Sequence, residues 1–142
     1  MVKIDALPLL NRLFAIEYRS LAMYLSDACP WTRNGDEKAA AALANILADQ
    51  RAMAVRIAEL VDSRGANVSY GSFPMEYTDL NLLSLDFLLR EMVAGQHRDI
   101  AEIEHIVAAL AGDAEARDLA SEILGAERAH LEMLEELVNQ PA

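Results

Sequence analysis

Four long stretches of this chain place apolar residues three and four positions apart, and each breaks that stripe near its middle with a polar side chain. The clearest lies near the C-terminus. There Ala120, Ile123, Leu124, Leu131, Leu134, Leu137 and Val138 carry the stripe, and Glu127 and His130 fall on it where Leu or Ile would be expected. Alternating three- and four-residue spacing marks one face of a helix. An acid and an imidazole one turn apart on that face both point inward, and burying them unpaired would cost several kcal/mol. The fold must therefore supply compensation: a metal ion, other buried polar groups, or water.

The other stretches follow the same rule. From about Asp5 the stripe Leu10, Leu13, Glu17, Leu21, Tyr24 predicts a first helix ending near Cys29-Pro30-Trp31, with Asn34-Gly35 completing a turn. Asp36 is the expected cap of a second helix reaching about Arg64, stopped by Gly65. Its stripe reads Leu43, Ile46, Gln50, Met53, Ile57, Leu60, with Val61 beside it. Thr78 or Asp79 caps a third, continuing to about Ala111 through Leu82, Leu85, Leu89, Met92, Gln96, Ile100, Ile103, Val107 and Leu110. After a turn at Gly112-Asp113 the fourth runs from about Ala114 to Val138.

Residues 65 to 78 hold two glycines, Pro74 and three aromatics, and carry no helical stripe. Such a segment can span about 46 Å, while a helix from 36 to 64 is about 43 Å long. The loop can thus run the length of a bundle and leave the second and third helices parallel. The expected fold is all-α: one domain over residues 1–142, a four-helix up-down-down-up bundle with one long crossover between helices 2 and 3.

Composition supports this and excludes other classes. Over half of the 142 residues are apolar and aromatics are sparse. A formal net charge of −11 opposes binding to nucleic acid or to anionic membranes. No apolar run approaches the roughly 20 residues that span a bilayer, and no signal peptide is recognisable. Cys29 is the single cysteine, so there is neither a disulfide framework nor a thiolate cluster, and a reducing cytoplasm fits. The alanines of the second helix offer slim faces for close packing, and a homodimer through the first two helices is expected.

The interrupting residues, Glu17, Gln50, Met53, Gln96, Glu127 and His130, can share one level of such a bundle. Here the chain resembles the ferritin-like superfamily, closest in outline to bacterioferritin and rubrerythrin domains. In that family the first and third helices each give one Glu to a di-iron centre, and the second and fourth each give Glu-x-x-His. The resemblance places Glu17, Glu127 and His130 on three of the six ligand positions, and Tyr24 on a family tyrosine. The second-helix Glu and His fall on Gln50 and Met53, and the third-helix Glu falls on Gln96. Glu91, off the stripe, is an alternative for that last position. Arg51 stands where bacterioferritins carry their haem-ligating Met, so no haem is implied.

This departure sets the functional expectation. Two adjacent irons need several carboxylates, whereas Gln is neutral and Met is a soft thioether. A degenerate di-iron site follows, and two readings stay open. In the first, the layer is metal-free: Gln50 and Gln96 donate to Glu17 and Glu127, and His130 sits as imidazolium between carboxylates. In the second, Glu17, Glu127 and His130 hold a single Fe, Mn or Zn ion. No catalytic residue is assigned, and the reading leans away from an enzyme. His97 and His105 are expected to face solvent, and no small ligand or protein partner is identified.

Overall fold

The computed structural model describes residues 5–20, 37–69 and 85–139. They form four α-helices: α1 (Leu7–Tyr18), α2 (Glu37–Ser63), α3 (Leu85–Ala109) and α4 (Ala114–Asn139). Among the described residues there is no strand, and the fold is the all-α four-helix bundle the stripes predict. No helix among them is long and apolar enough to cross a membrane.

Side-chain pairs between helices set the directions. Gln50 and Arg56 of α2, and Arg64 just beyond its end, meet Glu127, Glu122 and Asp113 respectively, so α2 and α4 are antiparallel. A tight turn at Gly112 reverses α3 into α4. The second and third helices therefore share a direction. Asn11 accepts from the Ser69 backbone while Ser20 reaches Gln50, so α1 is antiparallel to α2. The connection itself, residues 70–84, lies outside the described residues, as do Leu21, Tyr24, Cys29 to Gly35, and the expected caps Asp36, Thr78 and Asp79.

Helix ends follow recognisable chemistry at two of the expected sites. Gly65, at φ 78°, takes the left-handed conformation beyond α2; its N–H donates to Asp62 O at 2.9 Å, and that of Ala66 donates to Val61 O at 3.2 Å. This paired closure satisfies carbonyls that the helix end leaves free, and glycine enters it without a Cβ penalty. Asp113 caps α4 by accepting from the Ala116 N–H at 3.2 Å, and Arg64 bonds the same carboxylate at 2.6 and 3.0 Å. The first helix departs from expectation. It ends at Tyr18, not near Cys29: Arg19 leaves helical geometry at φ −110°, ψ 28°. No glycine or proline marks this stop. The bend carries Ser20 into the bundle, where its hydroxyl donates to Gln50 Oε1 at 2.7 Å.

Burial on α2 also corrects the sequence reading. Leu43, Ile46, Gln50, Ala54, Ile57 and Val61 are buried, while Met53 and Leu60 are half-buried. The core thus follows Ala54 and Val61 where Met53 and Leu60 were expected.

Two apolar clusters make the core. One joins Leu10, Leu13 and Phe14 of α1 to Ile57 and Val61, to Ile100, Ile103 and Ile106, and to Leu119, Ala120 and Ile123. The other joins Leu43 and Ile46 to Leu88, Leu89, Met92 and Leu134. On α2, α3 and α4 alike, the buried polar residue lies between the segments that feed the two clusters. On the outer face of α2, Ala41, Ala44, Ala48 and Ala52 are exposed beside Val55, which is 55% exposed.

Candidate functional site

Glu17, Gln50, Gln96, Glu127 and His130, which interrupt the stripes, are buried, and Ser20 is the one further buried polar residue among those described. Glu17 and Glu127 are 0% exposed, and Gln50, Gln96 and His130 are almost as deeply buried. Each reaches the level between the two apolar clusters from a different helix, except Glu127 and His130, which share α4.

Glu127 is the hub. Its Oε2 accepts from Gln50 Nε2 at 3.2 Å and from Gln96 Nε2 at 3.1 Å; the same Gln96 nitrogen reaches the Glu127 carbonyl at 2.9 Å. Its Oε1 stands 2.5 Å from His130 Nδ1. Ser20 holds the far end of the Gln50 amide, and this fixes which way that amide points. The other ring nitrogen of His130, Nε2, meets Asp49 Oδ2 at 2.7 Å. Both imidazole nitrogens therefore face carboxylates. Burial on its own would lower the His130 pKa, but the bonds to Glu127 and Asp49 outweigh it and the net shift is upward.

Glu17 stands apart from this network. Neither carboxyl oxygen has a hydrogen-bond partner among the described residues. Burial first, and then the charges of Glu127, Asp99 and Asp49, hold its carboxyl well above the usual range. The sequence reading had the two amides shared between Glu17 and Glu127; both go to Glu127. Nor does the structure assemble the three candidate metal ligands as one set. Glu127 and His130 bind each other, and Glu17 bonds neither. Among the described residues, no three Asp, Glu, His or Cys side chains are grouped as ligands of one ion. Met53 is half-buried and packs on the first apolar cluster. Glu91 is half-buried, and His97 and His105 are exposed.

Three contributors escaped sequence reasoning: Ser20, Asp49 and Asp99. Asp49 directly precedes the buried Gln50, and Asp99 lies one turn beyond the buried Gln96. An acid beside a polar interruption was the available signal. Burial first, then the charge of Glu127, pushes the Asp99 carboxyl up to about 7.

A pH dependence follows. Between the ordinary aspartate range and about 7, folded Asp99 keeps a proton that the unfolded chain has released. Folding then binds the extra proton, so stability falls as pH rises through that window and levels off above it. His130, shifted upward, contributes stability that is likewise lost as pH rises through its folded pKa. Urea unfolding should give a free energy higher at pH 5.5 than at pH 8, by on the order of 2–4 kcal/mol. Equal values at the two pHs, or a rise toward pH 8, would contradict this account of the layer.

No protein-family model, curated protein or solved structure matches this chain.

Proposed function

We propose that this is a ferritin-like bundle protein whose central layer is a metal-free hydrogen-bonded network and not a di-iron centre, so that it works as a structural or binding module, without oxidase or iron-storage chemistry. The observation that carries the reading is the convergence of the Gln50 and Gln96 amides on one oxygen of Glu127. A bridging carboxylate in a two-iron centre needs its oxygens for cations, whereas this one is supplied with N–H donors by both neighbouring helices. The donor set agrees with this. Two neutral amides and a thioether at Met53 cannot offset the charge of two adjacent irons as carboxylates would.

The test is ferrous iron added anaerobically to chelator-treated protein, followed by air. The expected result is no uptake near two irons per chain and no oxo-bridged absorption. Two irons per chain, or that absorption band, would overturn the reading.

A further inference from the structure

No further inference is drawn: the strongest candidate, the exposed face of α2 formed by Ala41, Ala44, Ala48, Ala52 and Val55, is a stripe of small side chains, and nothing in the structure shows what covers it.

Discussion

Replacing Glu127 with alanine is expected to lower the unfolding free energy by about 3–5 kcal/mol, the range for breaking a buried charged network by removing one partner. The substitution strands the Gln50 amide and His130 Nδ1 and leaves Gln96 only its bond to the backbone carbonyl of position 127, because all three side chains address this one carboxylate. It also leaves a cavity where a fully buried side chain stood. Glu127→Gln separates the two contributions. It fills the same space but brings an amide NH₂ toward groups that are themselves donors, at a cost of about 1–3 kcal/mol. Urea denaturation of the three proteins at one pH gives the comparison. A loss below about 1 kcal/mol for the alanine variant would mean that Glu127 is not the hub of the layer.

The second large effect is expected from restoring the ligand types of the resembled family together, as Gln50→Glu, Met53→His and Gln96→Glu. Both glutamines direct their amides at Glu127 Oε2. Acids at those positions would crowd three carboxylates together and leave Glu17 close by in a setting already negative. Without metal, like charges in that space should raise carboxyl pKa values and destabilise the bundle by several kcal/mol. Ferrous iron should then reverse the loss. Ion binding to the folded state adds about 2.7 kcal/mol when free metal stands at a hundredfold excess over Kd. The triple variant should take up close to two irons per chain where the wild type does not. Equal stability of variant and wild type in chelator would show that the amides do not define this layer. Destabilisation without iron uptake would show that the resemblance does not extend to the site.

How much of this could be read from the sequence depends on what periodicity encodes. It encodes the face. Glu17, Gln50, Gln96, Glu127 and His130 were singled out because each fell on an apolar stripe, and all five are buried. Periodicity does not encode the partner across the helix gap, so nothing in the spacing said that both amides would choose Glu127. It also tolerates drift. The five steps from Leu43 to Leu60 average 3.4 residues, whereas those from Leu43 to Val61 average 3.6, the period of a straight helix. The structure follows the second series, and for that reason buries Ala54 where Met53 was expected. The end of α1 was illegible for another reason. Tyr18-Arg19-Ser20 contains no residue that forbids helix, and the stop coincides with the cross-helix bond from Ser20 to Gln50.

The layer between the two apolar clusters has a consequence for how the helices are indexed. A bundle with unbroken leucine stripes can slip one helix by a turn, about 5.4 Å, and still bury hydrocarbon against hydrocarbon. Here such a slip of α4 would carry Glu127 and His130 against leucine and isoleucine and leave two amides facing nothing. Each out-of-register packing is penalised at several helices at once, in the way a single buried polar residue fixes the alignment of a coiled coil. The registry of α2 and of α3 along α4 is thereby keyed to a single atom, Oε2 of Glu127.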